Sequence, residues 1–231
     1  TIQRTIVFIL LLFRFTLLWA QTPQSQYQLT RLDITQGLSA NQVNCIYKDS
    51  QGFMWFGTMS GLNRYDGYNF RIFRQDLRDT TTISDNFVTS IMEGPEGFLW
   101  ITHRNGQNVY NPQQGNFQRN PRLALARFGV PVDSINNIIK DLDGNYWFVT
   151  PKDGLYRYSP SNKKTLHLLP GTQISDMAQA PSGFCWIIHS NGLLEKMDPH
   201  TQQIVSRDQV PTSSTSPYQL MADKDGDCWL F

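Results

Sequence analysis

Only three cysteines occur in the 231 residues, and none stands in a Cys-x-x-Cys pair, so neither a zinc ribbon nor a thiol redox motif is present. Cys185 and Cys228 each precede a tryptophan where other segments carry Met54, Leu99 or Tyr146, and they read as apolar fillers. Equivalent sites in successive repeats lie too far apart for a disulfide, whose Cα atoms sit within about 7 Å. No block of like charge interrupts the chain. Formal net charge is +1, and without Arg4 and Arg14 of the first twenty residues 18 basic groups face 19 acidic ones. With no basic stripe, nucleic acid is excluded as an expected partner. No nucleophile elbow, HExxH helix or phosphate loop is present, and no metal or cofactor is expected. After residue 21 no apolar run is long enough to cross a bilayer.

What the chain does contain is a beat. Trp55, Trp100, Trp147, Trp186 and Trp229 are spaced 45, 47, 39 and 43 residues apart, each three residues after a glycine. Nine residues before each glycine stands Val43, Val88, Ile135, Ile174 or Pro217, and six before it Ile46, Ile91, Ile138, Met177 or Leu220. A period of roughly 40–50 residues is that of propeller blades, which bury their faces only against neighbours. The expected architecture is all-β: a β-propeller of four-stranded antiparallel blades, incomplete, with about four to five blades near 38–73, 83–117, 130–169, 172–205 and 215–231.

In the first repeat, Val43 to Lys48 reads as a strand and Asp49-Ser50-Gln51-Gly52 as a turn; Phe53 to Thr58, Leu62 to Tyr65 and Asn69 to Phe73 are further strands. The five tryptophans are assigned to the core between blades. Asp49, Asp141 and Asp223, each three residues before a repeat glycine, are read as turn residues, since Gly94 and Ala180 replace them elsewhere. The connectors Arg74 to Asn86, Gln118 to Ser134 and Arg207 to Ser216 are long and polar or proline-bearing, hence functional or loosely ordered.

Residues 1–20 join Arg4, a short apolar run and Ala20, the pattern of a secretory signal peptide, and leave 21–231 as propeller. With the first strand innermost, the loop between strands two and three shares a face with the connectors. Those loops, Thr58-Met59-Ser60, His103-Arg104-Asn105, Pro151-Lys152-Asp153 and His189-Ser190-Asn191, are polar and differ from one another. His103, Arg104, Asn105, Lys152, Asp153, His189 and Asn191 are therefore the candidate ligand-binding residues, with a sugar the best-suited ligand. Against this stands the plainer reading of solvated turns, and His103 and His189 in particular are read as solvated.

The string Gly37-Leu38-Ser39, Asn41, Val43, Ile46, Asp49-Ser50-Gln51-Gly52-Phe53-Met54-Trp55-Phe56-Gly57-Thr58 and Gly61-Leu62-Asn63-Arg64-Tyr65-Asp66-Gly67 resembles the two-component regulator propeller repeat. The resemblance extends from about Tyr27 to the end. It implies the N-terminal part of the periplasmic sensor region of a Bacteroidetes hybrid two-component system. Such a sensor detects a glycan, works as a homodimer, and controls transcription through a membrane span, histidine kinase and DNA-binding domain that follow. Membrane attachment then comes only through those missing C-terminal segments. The pattern departs at Ile101-Thr102-His103-Arg104-Asn105, at Lys196-Met197, and in a fifth repeat that stops at Phe231. Seven blades would need roughly 300 residues, so this polypeptide is expected to be truncated and to self-associate through the faces of its end blades. The competing classes are a secreted propeller enzyme of lyase or glycosidase type and a non-catalytic carbohydrate-binding or scaffold propeller.

Overall fold

Every repeat begins with a strand of branched residues and turns on an aspartate or small residue followed by glycine, and in the computed structural model each one becomes its own antiparallel meander. Residues 29–211 and 218–231 are described, so the leader expected over 1–20 lies outside the described residues. The chain divides after residue 32, and the unit 33–231 carries all the strands found among the described residues. Its first blade holds β1 (Val43–Lys48), β2 (Met54–Thr58), β3 (Gly61–Tyr65) and β4 (Phe70–Phe73). The second holds β5 (Val88–Glu93), β6 (Leu99–His103), β7 (Gly106–Asn111) and β8 (Asn116–Gln118). The third holds β9 (Asn137–Lys140), β10 (Tyr146–Val149), β11 (Leu155–Ser159) and β12 (Lys164–Leu168). The fourth holds β13 (Ile174–Gln179), β14 (Cys185–His189), β15 (Leu193–Met197) and β16 (Ile204–Gln209). A two-stranded sheet of β17 (Leu220–Ala222) and β18 (Cys228–Leu230) follows. Within each sheet the strands pair in chain order.

The first strands of successive blades, β1, β5, β9, β13 and β17, pack side by side and are therefore the inner ones. Side chains lock each blade to the next. Asn44 donates to the Val88 carbonyl (2.9 Å), Gln107 to that of Ile135 (2.8 Å) and Asn136 to that of Ile174 (2.8 Å); Asp176 accepts from the Leu220 amide (2.9 Å). Bulges at Val43/Cys45, Val88/Ser90 and Ile174/Asp176 increase the local twist of three of these inner strands.

Trp55, Trp100 and Trp147 each lie on the face their blade turns to the next. Trp55 packs against Phe73 and Tyr110, with ring centroids 5.7 and 5.2 Å away; Trp100 packs against Phe148 at 6.0 Å; and Trp147 sits in a cluster with Ile174, Met177, Cys185 and Ile187. These three are buried, whereas Trp186 is only half-buried and Trp229 is 54% exposed, a correction to the expectation of five core indoles. The reason is geometric: the sheet over Trp186 has two strands, and no sheet among the described residues covers Trp229.

The repeat aspartate does more than turn the chain. Its Oδ1 accepts backbone amides of the turn, from Phe53 (2.9 Å), Asn145 (2.7 Å) and Asp227 (2.9 Å), while Oδ2 accepts the indole N–H six residues on. The indole distances are 2.7 Å for Trp55–Asp49, 2.9 Å for Trp147–Asp141 and 2.9 Å for Trp229–Asp223. Where Gly94 and Ala180 replace the aspartate, Nε1 of Trp100 and of Trp186 is buried with no partner among the described residues. A Cβ on Gly94 would come within 2.4 Å of the Trp100 ring, so glycine is there to admit the indole. Gly94→Ala is expected to destabilise by about 1–3 kcal/mol, the range for overpacking, read as a lower urea midpoint; an unchanged midpoint would refute this account of the glycine.

The first two connectors are tied down, while residues 212–216 of the third lie outside the described residues. Arg119 donates to the carbonyls of Thr82 (2.9 Å), Asp79 (2.8 Å) and Asp76 (3.1 Å), and Asn86 accepts the Gln75 amide (2.8 Å). The second connector contains a helix that strand periodicity does not predict, α1 (Pro121–Arg127), with Asn120 capping the Arg122 amide at 3.1 Å and proline in the first turn. It delivers Leu125, Phe128 and Val130, all buried, into the core between blades two and three. The three cysteines are free thiols. Burial pushes the Cys45 thiol up to about 11 and that of Cys185 up to about 12, as suits packing groups.

Candidate functional site

The loops between second and third strands share a face with the connectors, as strand order requires. Gly61 donates to Asn86 (2.9 Å), Gly154 to Thr172 (2.9 Å) and Ser190 to Gln173 (2.9 Å). On this face the residue three after each of the first four repeat tryptophans, Thr58, His103, Thr150 or His189, is buried rather than presented to solvent. Both histidines are therefore corrected from solvated to internal groups, at 4% and 7% exposure. The physical cause is the strand's alternation, which turns that position into the blade, where a polar partner waits on the third strand.

In blade one that partner is Asn63, whose Oδ1 accepts the Ser39 amide (2.9 Å) while Ser39 Oγ meets Thr58 Oγ1 (2.8 Å). In blade two Asn108 accepts the Ser84 amide (2.7 Å), and Ser84 Oγ meets His103 Nε2 (3.0 Å). His103 Nδ1 takes the Asn105 amide (3.3 Å), so both ring nitrogens are occupied internally. Burial lowers the His103 pKa, against the smaller opposing influence of Asp85. Arg104 lies over the Phe87 ring at 4.7 Å, and Asn105 donates to Asp85 at 2.7 Å. The blade-two candidates close on their own connector.

The candidates of blades three and four instead border open crevices. Lys152 and Asp153 line one of about 310 Å³ together with Asp133, Ser134 and Thr150. The Asp153 carboxylate accepts from Tyr156 Oη (2.5 Å) and the Gly171 amide (3.2 Å), which together hold its pKa below the usual range. His189 and Asn191 line a second crevice of about 560 Å³, with Leu169, Thr172, Gln173 and Glu195. Here Nε2 of His189 meets Glu195 Oε2 at 2.9 Å, and Arg207 Nε donates to Glu195 Oε1 at 2.8 Å. Burial pushes the Glu195 carboxyl up, but the hydrogen bonds from Arg207 and His189 outweigh it, and the net pKa is lowered. Glu195 and Gln173 escaped the sequence reading. The one signal for Glu195 was a carboxylate at the inward register position that Asn63 and Asn108 fill in earlier blades.

A third cavity, also about 560 Å³, lies among the inner strands and is lined by Ser90, Asn137, Ser175, Asp176 and Leu220. Both Asp176 oxygens are spent, on Asn137 (2.7 Å) and Met177 (2.8 Å) at Oδ1 and on Leu220 (2.9 Å) at Oδ2, and burial raises its pKa. No cluster of three or more His, Cys, Asp or Glu side chains suited to a metal occurs among the described residues. Nor, among them, is any helix long and apolar enough to cross a membrane.

Inner-first meanders packed blade on blade, each with a Trp-bearing second strand and polar loops on one face, define the class of β-propeller repeat proteins. Within it, the model of the two-component regulator propeller matches residues 37–60 and 82–105, the first two blades' connector and opening strands. Those two segments match the two-component regulator propeller repeat. It is similar to the extracellular domain of a candidate hybrid two-component system from B. thetaiotaomicron: TM-score 0.57 and 26% identity, over 87% of this chain and 29% of that one. A second extracellular domain from B. thetaiotaomicron, of a candidate one-component system, matches at TM-score 0.57 and 24% identity, over 89% of this chain and 31% of that one. A histidine kinase of Formosa agariphila is 36% identical over 78 residues, 34% of this chain and 6% of the kinase. The chain thus spans under a third of these relatives' length. A virginiamycin B lyase from Staphylococcus aureus shares the fold alone, at 15% identity and TM-score 0.52, over 84% of this chain and 64% of the lyase.

Proposed function

We propose that this chain is part of the periplasmic ligand-sensing propeller of a hybrid two-component sensor kinase, that its ligand is a glycan, and that the loop-bearing face receives it. The observation that carries the reading is the likeness to a hybrid-system extracellular domain across 87% of the chain, together with the repeat match. The chemistry of the face agrees: the blade-four crevice, lined by amide, hydroxyl, imidazole and leucine side chains, suits hydroxyl-rich ligands. In this reading the sensor works as a homodimer. Ligand favours one arrangement of two protomers and so biases a kinase across the membrane, by no more than its differential affinity for the two arrangements. Control of transcription then follows through domains outside these residues.

The lyase likeness lends no support to an enzyme, since it reaches the fold alone. Calorimetric titration of the chain with neutral and acidic oligosaccharides is expected to give saturable heat for at least one glycan, recovered intact afterwards. Absence of binding across the panel, or cleavage of the sugar, would overturn the sensing role.

A further inference from the structure

A rule of one residue separates the closed blades from the open ones. Thirteen positions before the repeat glycine, blades one and two carry Ser39 and Ser84, while blades three and four carry Pro131 and Pro170. Each serine drops its amide and hydroxyl onto the end of the second strand and the facing asparagine, filling the slot. Proline has neither donor, and no such plug forms. In blade four the slot residues His189 and Glu195, with the flanking connector residues Thr172 and Gln173, surround the crevice of about 560 Å³.

His189 and His103 stand at equivalent positions but differ in what is left over. His103 spends both nitrogens inside the protein. His189 spends Nε2 on Glu195, and among the described residues Nδ1 makes no hydrogen bond, although the residue is 7% exposed and forms one wall of the crevice. In the neutral tautomer whose Nε2–H donates to Glu195, a carboxylate that Arg207 also holds, Nδ1 carries a lone pair for an incoming hydroxyl. Around it stand Gln173, Ser190 and Asn191, which both donate and accept, and Leu169 and Leu193, which offer apolar contact. No lysine or arginine lines the crevice, so nothing there recruits an anion.

We infer that the crevice between blades three and four is a binding site for a neutral polyhydroxyl unit, a hydroxyl of which donates to Nδ1 of His189. This rests on the sensing role proposed above and names its contact point. The test is imidazole nitrogen NMR on the full chain with glucose, galactose, mannose and arabinose as probes and glucuronate as the charged control. In the free protein His189 is expected to show an unprotonated Nδ1, and a neutral sugar to shift that resonance saturably. Ser190→Trp, an exposed wall residue, fills the crevice and is expected to weaken that sugar by about tenfold or more; Gln173→Ala weakens it less. A protonated Nδ1, tighter binding of glucuronate than of any neutral sugar, or a neutral-sugar affinity unchanged in Ser190→Trp would each overturn the inference. Should an oligosaccharide bind by calorimetry while the His189 resonance stays still, the site falls and the sensing role stands; should no glycan bind at all, both fall.

Discussion

Trp147→Ala is expected to destabilise the array by about 3–5 kcal/mol, whereas Trp229→Ala, the same change at the same repeat position, removes less than about 1 kcal/mol. The difference is burial. Trp147 is 0% exposed, against 54% for Trp229. The Trp147 ring fills the space between blades three and four with Ile174, Met177, Cys185, Ile187 and Met197 around it, and the Arg157 guanidinium lies 5.2 Å from its centroid. Truncation leaves a cavity that two paired sheets cannot collapse to fill. It also strips Asp141 of an N–H donor. Urea midpoints followed by far-ultraviolet circular dichroism read both changes on one scale. Equal losses in the two variants would mean that the indoles do not act through the neighbouring blade.

That contrast also shows how far the residue pattern alone reaches. The five-fold recurrence of Trp three residues after Gly carried the fold, because a strand period and a turn glycine are local properties that a neighbouring blade merely repeats. Burial of a given indole is not local. Trp55 and Trp229 look alike in sequence, yet among the described residues one has a four-stranded sheet over it and the other has none. Helix α1 was hidden because its seven residues sit in a proline-bearing connector and are held by Leu125 and Phe128 packing into a core built by two other blades. The polar loops were legible as one face, since strand order alone puts them there. Which of them open onto a cavity was not, for it turns on serine or proline in the connector and on Glu195 facing inward from a strand that reads Leu-Leu-Glu-Lys-Met.

Asp141→Ala is the second large effect expected, about 3–5 kcal/mol at neutral pH, because it leaves a half of a buried ion pair behind. The Asp141 side chain is 1% exposed and that of Arg157 14%, with Nη2 3.0 Å from Oδ2. The carboxylate also takes the Asn145 amide (2.7 Å) and the Trp147 indole (2.9 Å). Arg157 in turn reaches blade four, donating to the Pro199 carbonyl at 3.1 Å, so the carboxylate orients a link between blades. Burial pushes the Asp141 carboxyl up, but the hydrogen bonds from Trp147, Asn145 and Arg157 together outweigh it and hold its pKa below the ordinary 3.8. A carboxyl whose folded pKa is depressed adds stability above its unfolded value and loses it as pH falls through the folded one. The gap in stability between wild type and Asp141→Asn, which keeps the shape and removes the charge, is therefore expected to be constant above about pH 5 and to shrink steadily below 3.8. Comparing the two proteins cancels the acid response of Asp66, Asp79, Asp153, Glu195, Asp198 and Asp223, whose values are also lowered. Urea unfolding from pH 7 to pH 3 measures the gap. If it stayed constant to pH 3, the Asp141 charge would contribute nothing, and the hold on Trp147 and Arg157 would come from geometry alone.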